Sequence, residues 1–218
     1  MTLISSSLAR CHPGQRDKFT AIALEGMKLF ERHGAHQVRL LEAITAGDNI
    51  GVYVLTNEFP SSEAYGEFYD ELARDAEFEA YLTRVYADDS PVTMLSRSLA
   101  VEIPLDLQAS KVRGTIIEVY VCQPQLGRFE GCCEFATRAF DFLAAHGATN
   151  CRMTQLNSAG PRTGALVATW EFGSMRERGA AEDAWISDPK GRELGEEMVA
   201  ATVPFTTLSN GLYRDAHM

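Results

Sequence analysis

The chain has 218 residues, 45% of them apolar and 23% charged, the balance of a globular protein with room for two domains of about 100 residues. Its formal net charge of −10 argues against nucleic acid and anionic membrane surfaces as partners, because both are met by basic patches. Apolar runs are short and broken by charge, and Met1-Thr2-Leu3-Ile4-Ser5 lacks the basic start and long apolar core of a signal peptide.

A cytoplasmic location is therefore expected, and the cysteines agree with it. There are five, an odd number, and Cys132-Cys133 are adjacent, which suits no disulfide framework. No Cys-x-x-Cys pair occurs and no histidine lies at zinc-ligand spacing from them, so no metal site is expected. Cys132, Cys133 and Cys151 read as small apolar packing groups.

In chain order, a short strand at about 5–11 turns at His12-Pro13-Gly14. A helix follows over 16–33, with Phe19, Ile22, Ala23, Met27 and Phe30 on one face and His33-Gly34 closing it. Strands at 37–45 and 50–59 flank the turn Ala46-Gly47-Asp48-Asn49. Ser61 or Ser62 caps a helical region over 62–86 that breaks around Arg74-Asp75, and a strand at 92–101 ends the unit. The order β-α-β-β-α-β is the ferredoxin-like layout, four antiparallel strands with both helices on one face.

Residues 33–99 then reappear at 146–212 without a gap, with 21 identities in 67 positions. His33-Gly34-Ala35 returns as His146-Gly147-Ala148, Glu58-Phe59 as Glu171-Phe172, and Pro91 as Pro204. A period this long marks a duplicated domain rather than a solenoid. The second copy opens with a strand at 114–122, where Cys122-x-Pro124 echoes Cys11-x-Pro13 and implies a two-residue insertion before the helix. The expected organisation is ferredoxin-like repeat one at 1–103, a linker at 104–113 containing Pro104, and repeat two at 114–218. Each sheet leaves one face uncovered, so the α+β fold expected is two tandem ferredoxin-like domains joined sheet to sheet as an intramolecular dimeric α+β barrel. Its lumen would be the only large cavity the chain can build. The molecule would be a monomer, internally pseudo-dimeric, or a homodimer of such units.

The run Cys11-His12-Pro13-Gly14-Gln15-Arg16-Asp17-Lys18-Phe19, with Phe30-Glu31-Arg32-His33-Gly34-Ala35, resembles the dimeric α+β-barrel superfamily. Gly51-Val52-Tyr53-Val54-Leu55-Thr56-Asn57-Glu58-Phe59 and Ala64-Tyr65-Gly66-Glu67-Phe68 look most like NIPSNAP-type domains and their bacterial relatives, once per repeat. The resemblance implies the fold over nearly the whole chain. Members of the superfamily include cofactor-independent monooxygenases of aromatic polyketides, haem-degrading enzymes and lactone isomerases, so fold alone does not choose among them. The antibiotic-biosynthesis monooxygenases often carry a histidine in the second helical region. This chain has none at 69–78 or 183–192, and a haem reading would leave His12 and His36 as its candidate ligands.

Alternation along the first hairpin places Arg39 opposite Glu58 and Leu41 opposite Thr56, facing the lumen, with Val38, Leu40, Tyr53, Leu55 and Phe59 under the helices. Arg152, Thr169 and Glu171 repeat the lumen set. These six residues are either a ligand-orienting polar ring or a structural cross-strand ion pair, and retention in both copies suits the second. On strand one, Ser7 and Ala9 in repeat one match Glu118 and Tyr120 in repeat two, all expected in the lumen. Glu118 as proton acceptor and Tyr120 as oxyanion donor are the candidate catalytic pair. Where repeat one has Tyr65, Phe68, Tyr69, Phe78 and Tyr81, repeat two has Arg178, Ala181, Glu182, Gly191 and Leu194, which implies a wider cavity or a partner surface on one side.

The sequence thus favours an organic-molecule binder, without metal or cofactor, in which cofactor-independent oxidation or isomerisation of an aromatic or polyketide-like substrate is one outcome. A non-catalytic binding or interaction protein with a filled barrel is the alternative, and haem binding the third. A lumen of roughly 300 Å³ or more that contains Glu118 and Tyr120 would favour the first.

Overall fold

A computed structural model describes residues 2–216; Met1, His217 and Met218, at the ends of the expected domains, lie outside the described residues. The first half contains β1 (Leu3–Cys11), α1 (Arg16–Arg32), β2 (His36–Thr45), β3 (Val52–Phe59), α2 (Ser62–Leu72), α3 (Ala76–Val85) and β4 (Val92–Ile103). The second contains β5 (Ile116–Pro124), α4 (Phe129–Ala145), β6 (Thr149–Ser158), β7 (Leu166–Phe172), α5 (Met175–Ser187), α6 (Pro189–Val199) and β8 (Phe205–Asp215). The expected break in the second helical region is a real one. Asp75 caps α3 by accepting from Glu77 N–H, and Asp188 caps α6 by accepting from Lys190 N–H.

All eight strands close into one antiparallel barrel in the order β1-β3-β2-β8-β5-β7-β6-β4. Each half contributes the ferredoxin-like order β4-β1-β3-β2 or its copy, and the halves join by hydrogen bonding of β2 to β8 and β4 to β6. No strand of the ring is left with a free edge, which removes the hazard of an open sheet. Helices cover the outside, so each half has its own helix–sheet core and the lumen holds two smaller apolar clusters.

Two expectations about register need correction. The repeat runs at 113 from end to end with no insertion: Ile4 faces Glu58 as Ile117 faces Glu171. Likewise His12 N–H donates to Pro91 O and Gln125 N–H to Pro204 O, both at 2.9 Å. Glu118 and Tyr120 therefore correspond to Ser5 and Ser7, and the Cys-x-Pro echo is a coincidence of sequence. Within the hairpins, Arg39 faces Thr56 and Leu41 faces Val54, because a bulge follows His36 where Gln37 takes φ 53°. Asn150 at φ 44° makes the same bulge in repeat two. The shift is two residues, so the faces are preserved.

The helix–sheet cores differ in how they are filled. In repeat one, Phe19, Tyr53, Phe59, Phe68, Phe78 and Tyr81 pack together. A Cβ on Gly26 would overlap the Tyr81 ring, so glycine on α1 makes room for that tyrosine. Repeat two has Ala139 and Leu194 at these positions, alanine at 181 where repeat one has Phe68, and Gly191 where it has Phe78.

Candidate functional site

All six residues expected at the lumen line a cavity there of about 190 Å³. Their charges pair across the halves rather than within one. Arg39 donates from Nη1 to Glu171 Oε1 and from Nε to Asp215 Oδ2, both at 2.7 Å. Arg152 donates from Nη1 to Glu58 Oε1 at 2.6 Å and from Nε to Glu102 Oε1 at 2.9 Å. Glu102 and Asp215 are themselves 113 apart, so the two clusters are copies exchanged about the pseudo-two-fold. Burial works against both guanidiniums, but the hydrogen bonds and charges of their carboxylates outweigh it and hold their pKa values above the ordinary arginine value. Arg39 is further fixed by Nη2 donating to Gly114 O at 2.9 Å. Thr56 and Thr169 stand opposite the two arginines on the lumen face. This ring ties the halves together.

Glu118 and Tyr120 do not face the lumen. In the barrel register Glu118 lies opposite Trp170 and Tyr120 opposite Ala168, on the side covered by α4, α5 and α6, and Ser7 and Ala9 face the helices of repeat one. The lumen positions of β1 and β5 are instead Ile4, Ser6 and Leu8, and Ile117, Val119 and Val121. Strand alternation is intact, but its phase is the opposite of that expected.

Glu118 and Tyr120 nevertheless share a cavity, of about 210 Å³, between the repeat-two sheet and its helices. Most of its wall is apolar, with Phe135, Phe140, Trp170, Phe172, Trp185 and Phe205 prominent. Glu118 is buried and accepts from Arg178 Nε and Asn210 Nδ2, both at 3.1 Å, and from Arg178 Nη2 at 3.4 Å. Arg178 also pairs with the half-exposed Glu182 at 2.9 Å, so the polar end of the cavity leads toward solvent. The Tyr120 hydroxyl is hydrogen-bonded to Thr207, and burial pushes its pKa above the usual value, so the phenol stays neutral at ordinary pH. The same space in repeat one is about 50 Å³. The wider cavity on one side follows from the lost aromatic residues. The lumen and the repeat-two cavity, at about 190 and 210 Å³, both fall below the ~300 Å³ expected of a pocket for a drug-sized ligand.

Arg178, Asn210 and Thr207 were not among the expected site residues. Arg178 stands out as a charge replacing Tyr65, whereas Asn210 and Thr207 have no signal in the sequence beyond lying on β8. His12 bonds Thr93 at 2.8 Å and His36 is exposed, and neither lines the repeat-two cavity. The thiols that do line it are poor ligands: burial pushes Cys122 up to about 12 and Cys132 up to about 11. A haem would find no histidine among the cavity's described residues and a space too small for the macrocycle. Haem does not fit this site.

No family sequence model matches the chain, and no curated protein does at the level of sequence. Solved structures match over its whole length. An anthrone oxidase-like protein superposes with a TM-score of 0.65 at 14% identity, covering 99% of this chain and 92% of its own. A provisionally assigned monooxygenase from Fusobacterium nucleatum subsp. nucleatum gives 0.59 at 8% identity, covering 98% and 92%. A mutant chlorite dismutase from Candidatus Nitrospira defluvii gives 0.52 at 9% identity, covering 97% and 90%. The likeness is one of fold. This chain has the dimeric α+β-barrel fold in its tandem, single-chain form, and at these identities the comparisons carry no activity with them.

Proposed function

We propose that the protein binds a small, flat, mostly apolar organic molecule in the repeat-two cavity, with its polar group at Glu118, Arg178 and Asn210. The observation that carries this reading is the contrast between the halves, about 210 Å³ against about 50 Å³ in the same place. A cavity of about 150 Å³ lined by aliphatic and aromatic side chains takes up benzene, so this one suits one substituted ring or two fused rings rather than a polyketide skeleton. The NIPSNAP-type resemblance rests on sequence motifs and adds fold, not activity.

Cofactor-independent oxidation and isomerisation are among the chemistries of the superfamily the chain resembles, and both open with loss of a proton from the substrate. In this reading Glu118, which accepts hydrogen bonds from Arg178 and Asn210, takes that proton, and Tyr120 offers a neutral phenol to developing negative charge. The test is Ala181→Phe, which restores the side chain that fills this space in repeat one. Aromatic fragments that raise the melting temperature of the parent protein are expected to lose their effect in Ala181→Phe with the fold intact; retained shifts would overturn the assignment. Glu118→Gln tests the base: proton exchange at the ligand is expected to stop, with a smaller loss of binding.

A further inference from the structure

The two ion clusters of the lumen are copies, yet they are not equally closed. Side chains of Arg39, Glu171 and Asp215 retain 8%, 4% and 4% of their surface. The Gly114 peptide seals that cluster, its N–H donating to Glu171 Oε2 at 2.7 Å and its carbonyl accepting from Arg39. Arg152, Glu58 and Glu102 retain 16%, 18% and 29%. Glu58, Arg113, Asn150 and Arg152 wall both the lumen and a larger open cavity of about 740 Å³ under the linker. The Arg152 cluster is thus the threshold through which the lumen meets the outside.

Arg113 comes from the linker and so has no repeat-one counterpart. Its Nη2 donates to Glu58 Oε1 at 3.0 Å, an oxygen that Arg152 already holds at 2.6 Å. Arg152 takes Glu102 and both oxygens of Glu58. Glu58 is thus shared between Arg152 and Arg113, and among the described residues Glu58 is the one side-chain hydrogen-bond partner of Arg113, which leaves the guanidinium with donors for a further partner. The remaining charged groups around the outer cavity, Lys111 and Asp106, offset each other. Burial and the neighbouring Arg39 and Arg152 lower the Arg113 pKa from its ordinary value, against the opposing pull of Glu58 and Glu171.

A second asymmetry falls in the same sector of the barrel. One residue row behind Glu58, Ser6 on β1 faces Thr56 on β3 and Ser98 on β4, all three on the lumen wall. Repeat two has Val119 and Gly211 where repeat one has Ser6 and Ser98, so the hydroxyl row exists on one side only. The open cluster and the hydroxyl row both belong to the sector β3-β1-β4-β6.

We infer that this threshold and the hydroxyls behind it form a second site, separate from the repeat-two cavity, for a small hydroxylated carboxylate. Its carboxylate takes the remaining donors of the Arg113 guanidinium, and its hydroxyls take Ser6, Thr56 and Ser98. A lumen of about 190 Å³ limits the ligand to a small molecule.

The experiment uses D-glycerate as the probe on the full chain, with glycerol and propionate as partners that lack one of the two features. Saturation-transfer NMR and thermal melting are expected to show saturable binding of glycerate and weaker responses to the other two. Arg113→Gln is expected to weaken glycerate by about tenfold, and Arg113→Lys to recover part of that loss. Ser6→Val, which installs the repeat-two residue, is expected to remove the preference for glycerate over propionate. Equal glycerate affinity in Arg113→Gln and the parent, or no saturable binding in the parent, overturns the site. Should Arg113→Gln fail to fold, an unchanged glycerate-to-propionate ratio in Ser6→Val overturns it alone.

Discussion

Arg39 sits between Glu171 and Asp215 with almost no access to water, so its charge is tolerable only while both carboxylates hold it. Replacing it by methionine would take the shared guanidinium from two buried acids. Arg39→Met is expected to cost about 3–5 kcal/mol in urea unfolding. The same change at Arg152, whose carboxylates are partly solvated, is expected to cost less, because water can take over some of the lost contacts. That these arginines face the lumen was legible in the sequence, since β2 and β3 alternate clearly between Leu40, Tyr53, Leu55 and Phe59 on one side and Arg39, Thr56 and Glu58 on the other. The face of Glu118 and Tyr120 was not. In β5, Ile116, Ile117, Val121 and Cys122 are all buried, and in β1 Ser5-Ser6-Ser7 offers no apolar contrast. A strand covered on both faces has no amphipathic phase to read.

The joint between α2 and α3 shows what a capping residue does beyond its own helix. Asp75 caps α3, and its carboxylate also accepts from His33 Nε2 at 2.7 Å and pairs with Arg32 at the end of α1. The His33 hydrogen bond, then the Glu77 N–H, hold Asp75 down to about 2 from an ordinary value of 3.8. A depressed folded-state value means that the charge stabilises fully above the unfolded pKa and that this contribution is lost as pH falls through about 2. Between pH 4 and 2 the parent protein is therefore expected to lose melting temperature faster than Asp75→Asn, which keeps a capping oxygen but no charge. Identical slopes would mean that the carboxylate's charge has no part in the joint. The helix break was readable from Arg74-Asp75, whereas the tie to His33 was not, because His33 already had a local explanation as a helix end. On the repeat-two side, α5 shows the opposite case. Its substitutions Arg178, Ala181 and Glu182 pointed to altered packing, but whether they opened a cavity or a surface depended on what α4 and α6 placed beside them.

At the scale of the molecule, the duplication at 113 determines a closed ring because each half has two strand edges, β2 and β4, and its copy supplies β8 and β6 to satisfy them. A chain ending at residue 112 is accordingly expected to be unstable as a monomer and to dimerise, with Arg39 of one copy meeting Glu58 of the other. Sedimentation equilibrium checks this, and a well-folded monomer would show that the seams are dispensable. The sequence by itself determined the element order, the tandem α+β barrel and the pair of polar rings, since these follow from periodicity, turn chemistry and an offset that can be counted along the chain. Only the tertiary structure decided that those rings pair across the halves, that Glu118 and Tyr120 belong under the helices, and that the repeat-two cavity, rather than the lumen, offers the more apolar space. Those outcomes depend on which side of a doubly buried strand meets which neighbour, and that is settled by packing between segments far apart in sequence.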